Sequence, residues 1–197
     1  MGISRIFRYN NTSDSTDEEK RISQVLEIMQ ANPTADWTVQ VTVLLPKSSS
    51  NKAQGVFLVN FEENIVALLT SQFGNEIVQA DSSFHRLIEN SQICRLRQSI
   101  KISGKIHQLG DFLVKLGTIT VGGENKGLIM EIEFSAAMTL GDGKPGILEF
   151  VSYLDPFGNF QHIDIEYCDR FKLNSEFFTL KHTAIDILAA LNCIEIK

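Results

Sequence analysis

Glu131 and Glu133 are two carboxylates one residue apart in a strand-like run, and period-two geometry puts them on one face. A Glu-x-Glu pair of this kind can hold a divalent metal inside a tunnel-shaped barrel that hydrolyses triphosphates, where Arg and Lys neutralise phosphate charge. That chemistry wants a third, basic member two residues on, and position 135 is Ser. Leu128, Met130, Ile132 and Phe134 take the alternate positions as a clean core-facing set. The alternation therefore predicts that Glu131 and Glu133 face water. As a catalytic motif the pair is incomplete.

A second arrangement lies in the run before it. Arg95, Arg97, Ser99, Lys101, Ser103, Lys105 and His107 fill every second position, with Leu96, Ile100, Ile102 and Ile106 among the positions between. Like-facing neighbours in a strand stand roughly 6.5–7 Å apart, so the spacing predicts a row of four cations on one face. Such a row is either a solvated sheet face or a docking stripe for an acidic protein or a phosphate-bearing ligand. Arg95, Arg97 and Lys101 are its candidate partner-binding residues.

The remaining signals carry less. His162, Asp164, Glu166 and Cys168 read like a ligand list, but side chains standing parallel on one strand do not converge on one cation. Gly143-Lys144 is followed by Pro145, where a P-loop needs Ser or Thr. A Gly-x-Ser-x-Gly elbow does not occur. His85 and His182 fall on predicted helices, with the surface or the core edge as their expected place. The sequence thus assigns no catalytic residue, no metal ligand and no cofactor, and predicts a chain that is not an enzyme.

Elements must hold these residues. A capping box, Thr16 to Glu19, predicts a helix over about 17–31 with Ile22, Val25, Leu26 and Met29 buried. Trp37 to Leu45 alternates as a strand, and Gly55–Phe61 with Ile65–Thr70 reads as a hairpin. Residues 81–90 read as a short helix capped by Asp81, with Phe84, Leu87 and Ile88 as its buried stripe. Residues 93–107 are a long alternating strand. Asp111–Val121 and Leu128–Phe134 are β-rich runs joined by a six-residue polar link, a second hairpin. Gly141–Pro145 reads as a turn with Pro145 at the first position of the next helix, which Asp155-Pro156 ends. A strand over 161–168 follows, then a closing helix over 175–191 with Phe177, Leu180, Ala184, Leu188 and Leu191 near one face.

The hairpin Asp111-Phe-Leu-Val-Lys-Leu-Gly-Thr-Ile-Thr-Val-Gly, followed by Gly127-Leu-Ile-Met-Glu-Ile-Glu-Phe, resembles the central hairpin of the Mediator subunit twenty family. Fainter likeness lies in Met1-Gly2-Ile3 and in the run after Pro145. The resemblance implies a nuclear, non-catalytic subunit of the head module of a transcriptional coactivator complex. It further implies a heterodimer with subunit eighteen, contact with the C-terminal part of subunit eight, and links to the TATA-box-binding protein and the RNA polymerase II machinery. It implies no cofactor and no sequence-specific contact with nucleic acid.

Length and composition agree with one α+β domain over 1–197. Residues AVILMFWYC make up 43 % of the chain and DEKR 21 %, enough for a sizeable core. The net charge of −6 argues against the whole chain binding nucleic acid, while leaving room for a local basic patch. Apolar runs are too short to span a bilayer, and the opening residues lack a signal-peptide core. Met1-Gly2 fails as a myristoylation signal because position 6 is Ile. Three scattered cysteines, Cys94, Cys168 and Cys193, fit reduced buried thiols. Seven or eight hairpin-linked strands with several helices predict a closed or nearly closed antiparallel barrel, since closure removes exposed edges. In the strand from Asp111 both faces are apolar, so a second layer must cover one of them. That layer is either the chain's own helix or a partner docked on Leu113, Ile119 and Val121.

Overall fold

The computed structural model describes residues 2–9, 15–47, 55–62, 64–71, 74–137, 139–155, 159–162, 171–174 and 176–193. In chain order the strands are β1 (Ile3–Tyr9), β2 (Pro33–Pro46), β3 (Gly55–Phe61), β4 (Asn64–Ser71), β5 (Gly74–Asp81), β6 (Cys94–Leu109), β7 (Phe112–Val121), β8 (Glu124–Phe134) and β9 (Phe160–His162). The helices are α1 (Ser15–Ile28), α2 (Ser83–Ser91), α3 (Leu140–Leu154) and α4 (Leu180–Ala190). None of them is long and apolar enough to cross a membrane.

The nine strands form one antiparallel sheet in the order β5-β4-β3-β2-β6-β7-β8-β1-β9. This corrects the expected barrel: β5 and β9 stand at opposite ends and do not pair, so the sheet is open. It curls instead. Both β1, near one end, and β4 and β5, at the other, contact α4. The helix occupies the concave face, and Ile6, Val39, Val66, Leu68, Ile102, Ile119 and Ile129 pack there with Ile185 and Leu188. A helix filling a curled sheet buries the same apolar area that closure would, without a ninth ladder.

The convex face carries two further cores. Ile22 and Leu26 of α1 and Ile147, Phe150 and Leu154 of α3 cover Phe7, Val114, Met130 and Ile132. Phe112 stacks between Phe134 and Phe150, with ring centroids 4.6 and 4.2 Å apart. Phe84 and Ile88 of α2 lie over Leu58, Ile65 and Ala67. The strands β7 and β8 are therefore covered on both faces, which is why both alternating sets of β7 are largely apolar, while β8 has one apolar set and one that carries Glu131 and Glu133.

Several element bounds differ from the sequence expectation, each for a local reason. The β7–β8 link is only two residues, Gly122-Gly123, with φ of 59° and 87°, and Val121 pairs Glu124. Two positive φ values are what a tight primed turn demands, and glycine supplies both. Helix α1 starts at Ser15, so Glu19 is free to accept from the Thr118 hydroxyl at 3.3 Å instead of capping. Helix α3 starts at Leu140 on the cap Thr139, whose hydroxyl accepts from the Asp142 N–H, and Pro145 sits inside it. The edge strand β5 was not expected, because it exposes most of its residues and has little apolar alternation. In α2 the stripe that faces the sheet is Phe84 and Ile88, both only half-buried, while Leu87 is 62 % exposed. Helix α4 is buried from His182 to Ala190, and Phe177 before it is exposed.

Candidate functional site

Pairing partners across a sheet share a face, so register alone assembles the candidate site. Glu131 faces Lys115 on β7 and Ile6 on β1, and Glu133 faces Leu113 and Ser4. This is the concave face. Glu131 is only 3 % exposed. The expectation that the two glutamates face water is overturned, because the convex side that Leu128, Met130, Ile132 and Phe134 fill is itself covered by α1 and α3. With both sides buried, the alternate set has no solvent to face.

Lys115 holds the pair. Its ammonium donates to Glu131 Oε1 at 2.8 Å and to Glu133 Oε2 at 3.5 Å. The Gly2 backbone N–H donates to Glu133 Oε1 at 3.1 Å. Burial on its own would lower the Lys115 pKa, but the two carboxylates outweigh it and hold the ammonium above the ordinary lysine value. Ser135, the position a catalytic third member would take, points elsewhere: its hydroxyl donates to the Asp111 carbonyl at 2.8 Å. Sequence spacing missed Lys115 because the contact runs across strands, although its parity with Leu113 could have suggested it.

A cavity of about 230 Å³ adjoins these groups, with Trp37, Phe61, Phe178 and Leu180 among its walls. Ser4 and Thr183 meet at its side, their hydroxyl oxygens 3.2 Å apart. Two carboxylates and one ammonium leave a single negative charge here. The described residues contain no cluster of three or more His, Cys, Asp or Glu suited to a metal. Chemically the arrangement is a buried ion triad, which ties β7 to β8 and, through the Gly2 N–H, to the start of β1.

Helix α4 is locked in place by polar contacts that sequence reading did not find. His182 is fully buried, against its expected surface or edge position. Its Nδ1 accepts from the Thr179 N–H at 3.0 Å, so Nε2 carries the proton and donates to the Asn174 carbonyl at 3.0 Å. Burial pushes the His182 pKa down, and the nearby Arg5 guanidinium adds to that. Arg5 also reaches Asp186 at 3.7 Å. Past the helix, burial pushes the Cys193 thiol up to about 11, which leaves it an inert thiol near neutrality.

The basic row of β6 is broken by register. Val43 pairs Gln98 but Leu44 pairs Leu96, so Arg97 is an extra residue at a bulge. Beyond it the parity flips: Leu96 shares the convex face with Lys101, whereas Arg95 takes the parity of Ile100 on the concave side. The four cations do not form one row. Arg95, Arg97 and Lys101 are exposed, Lys105 pairs with Asp36 at 2.5 Å, and His107 is buried with its Nδ1 3.1 Å from the Ala31 carbonyl. Of the other candidates, Ile119 is 1 % exposed beneath α4 and Val121 packs half-buried against the same core. The cover for that face is the chain's own helix. Leu113 is half-buried, and Phe7 lies against His162 with ring centroids 5.4 Å apart. Asp164, Glu166 and Cys168 lie outside the described residues.

A family model described as the TATA-binding related factor of subunit 20 of the Mediator complex matches residues 1–186. The chain is similar to the Mediator of RNA polymerase II transcription subunit 20b of Arabidopsis thaliana, with 23 % identity over 181 residues, covering 83 % of this chain and 81 % of that one. Among solved structures, it resembles a Vibrio parahaemolyticus protein provisionally named an adenylate cyclase. The TM-score is 0.50 at 11 % identity, over 82 % of this chain and 93 % of the other. It also resembles a chain of the Schizosaccharomyces pombe Mediator head module, with a TM-score of 0.46 at 10 % identity, over 81 % and 98 %.

Proposed function

We propose that this chain, which belongs to the Mediator subunit 20 family, serves as a non-catalytic assembly subunit of the Mediator head module. The family sets its context: the Mediator complex and the regulation of transcription by RNA polymerase II. In this reading it works in the nucleus as a platform between neighbours. It pairs with subunit eighteen and meets the C-terminal part of subunit eight, and through them the TATA-box-binding protein and the polymerase machinery.

The observation that carries this reading is the filled concave face. A triphosphate tunnel needs an open interior lined with unpaired cations that meet phosphate charge. Here α4 occupies the interior with Ile185, Ile187 and Leu188, and Lys115 is already engaged by both glutamates. The exposed cations Arg95, Arg97 and Lys101 lie away from that cavity. What the fold offers the outside is surface.

The alternative, a tunnel-barrel triphosphate hydrolase using Glu131 and Glu133, keeps one supporting feature, the inward aim of both carboxylates. One pair of experiments decides between them. Tagging the endogenous protein should bring down the other head subunits in stoichiometric amounts. The purified chain with ATP and manganese should release no phosphate above background. Saturable hydrolysis abolished by Glu131→Gln, with no subunits copurifying, would replace the assembly reading with the enzyme.

A further inference from the structure

The first six residues of β6 outrun their neighbour. Pairing of β6 with β7 begins only at Ile100 and Val121, while Cys94–Ser99 pair with β2 on the other side. Among the described residues, the β7-side edge of this stretch has no strand against it. An incoming strand would continue the line of β7 past the Gly122-Gly123 turn. Backbone N–H and C=O groups along such an edge are a ready template for pairing.

Side chains around the edge are of two kinds, sorted by face. On the convex side Leu96 is 63 % exposed and borders a groove of about 350 Å³ shared with Leu44, Ile88 and Cys94. Ile93, just before the strand, is 64 % exposed. Ile93 and Leu96 thus place two large apolar side chains, close in the chain, mostly in water. On the other side of the strand stand Arg95 and, at the bulge, Arg97.

Charge marks this corner, although Lys172 and Lys181 elsewhere also form no ion pair among the described residues. Lys20, Arg21, Lys105, Lys115 and Lys126 each have a carboxylate partner. Lys47, Arg86, Arg95, Arg97 and Lys101 form no ion pair among the described residues. Lys47 belongs to the same corner, its N–H bonding the Ile93 carbonyl at 2.9 Å. Glu89 is the carboxylate in the groove wall, and His85 lies 3.6 Å from it. Among the described residues, a chain of net charge −6 thus places cations without a carboxylate partner where exposed apolar side chains and an edge with no neighbouring strand coincide.

We infer that the projecting end of β6 is a docking site for an extended acidic segment of another protein, added as a strand along Cys94–Ser99. The segment alternates. Its apolar side chains enter the convex groove beside Leu96, and its carboxylates meet Arg95 and Arg97 on the opposite side. Main-chain bonds supply affinity in strand addition, and the alternate side chains supply selectivity. A nucleic acid would use the cations but leave Leu96 and Ile93 without a role, so a protein is the occupant. This rests on the assembly reading above and gives it a surface.

The test uses the purified full chain and a synthetic eight-residue peptide alternating glutamate and valine, with a lysine–valine peptide and a duplex DNA as competitors. The acidic peptide should bind, lose affinity with added salt, and protect the amides of residues 94–99 from hydrogen exchange. Arg95→Glu with Arg97→Glu, and separately Leu96→Ser, should each weaken binding by at least about tenfold, the scale of a central contact. Circular dichroism shows whether each variant is folded, and the peptide comparison on the wild-type chain decides if one is not. Equal affinity for the lysine peptide, no binding, or protection outside β6 would overturn the inference. So would DNA binding that is indifferent to Leu96→Ser. The assembly reading is tested apart from it: if the head subunits copurify with the wild-type chain while the acidic peptide does not bind, only the docking site is lost.

Discussion

Lys115 is the residue whose removal most directly exposes the logic of the concave face. Breaking a buried ion group by deleting one partner leaves an uncompensated charge, at a cost of about 3–5 kcal/mol. Lys115→Met strands Glu131 and Glu133, and should lower the unfolding free energy by that amount, read as a lower urea midpoint at unchanged slope. Adding Glu131→Gln to it should recover part of the loss, since it removes one stranded charge. The pH dependence has a defined sign. The folded Lys115 pKa is raised, so its stabilisation is complete below the unfolded value of about 10.4 and is lost as pH rises through the folded one. Melts above that pH should fall in the wild type and fall less in Lys115→Met.

His182 works in the opposite direction. Its folded pKa is lowered by burial, so the stability that depends on the neutral ring is present above about 6.5 and is lost as pH falls through the folded value. Thermal melts from pH 7.5 to 5 should show a declining midpoint, and His182→Phe, with a ring that does not titrate, should show a shallower decline. An unchanged slope in that variant would mean that other groups set the acid limit. Neither residue announced itself in the sequence. Lys115 stood within an apolar run, and His182 is held by the Asn174 carbonyl and by the Thr179 N–H and hydroxyl, a capping box with His in place of the usual Glu or Gln.

At the scale of elements, glycine positions separate a turn requirement from a packing requirement. Gly123 sits in the β7–β8 turn at φ 87° with open space around a would-be Cβ, so Gly123→Ala costs only the left-handed strain of about 1–2 kcal/mol. Gly104 faces Gly117 across β6 and β7, and a Cβ there would lie far inside contact distance of the Leu116 carbonyl. Backbone does not yield as a side chain tip does. Gly104→Ala should therefore cost at least about 3 kcal/mol and open the β6–β7 ladder, read as amide exchange at residues 102–106 that Gly123→Ala leaves protected. The turn glycines were legible as a hairpin signal, while the need at Gly104 depends on a cross-strand neighbour that local pattern does not reveal. The same limit explains the β6 bulge: alternation predicted one row of cations, and one extra residue at Arg97 moved Arg95 to the other face. Helix boundaries suffered similarly. Arg21, for example, ties α1 to the end of α3 by donating to the Leu154 carbonyl and reaching Asp155, both at 3.4 Å, long-range contacts that periodicity does not show.

For the whole molecule, the doubly apolar β7 was the most informative sequence feature, because it required two covering layers. The sequence left open whether the second was internal. In the fold α4 provides it, within a sheet that stays open, so the interface of the proposed assembly role belongs on surfaces that no helix covers. A matched pair of substitutions tests that division. Ile119→Asp places a charge in the core under α4 and should cost more than about 4 kcal/mol, giving an unfolded or insoluble chain. Leu96→Asp changes a side chain that is already mostly in water, so its unfolding free energy from urea melts should stay within about 0.5 kcal/mol of wild type. If the exposed end of β6 is a docking surface, that well-folded variant loses copurifying subunits while keeping its circular dichroism. A Leu96→Asp chain that copurifies at wild-type yield would move the interface off this corner. An Ile119→Asp chain that folds would show that α4 does not hold the concave face as tightly as its burial demands.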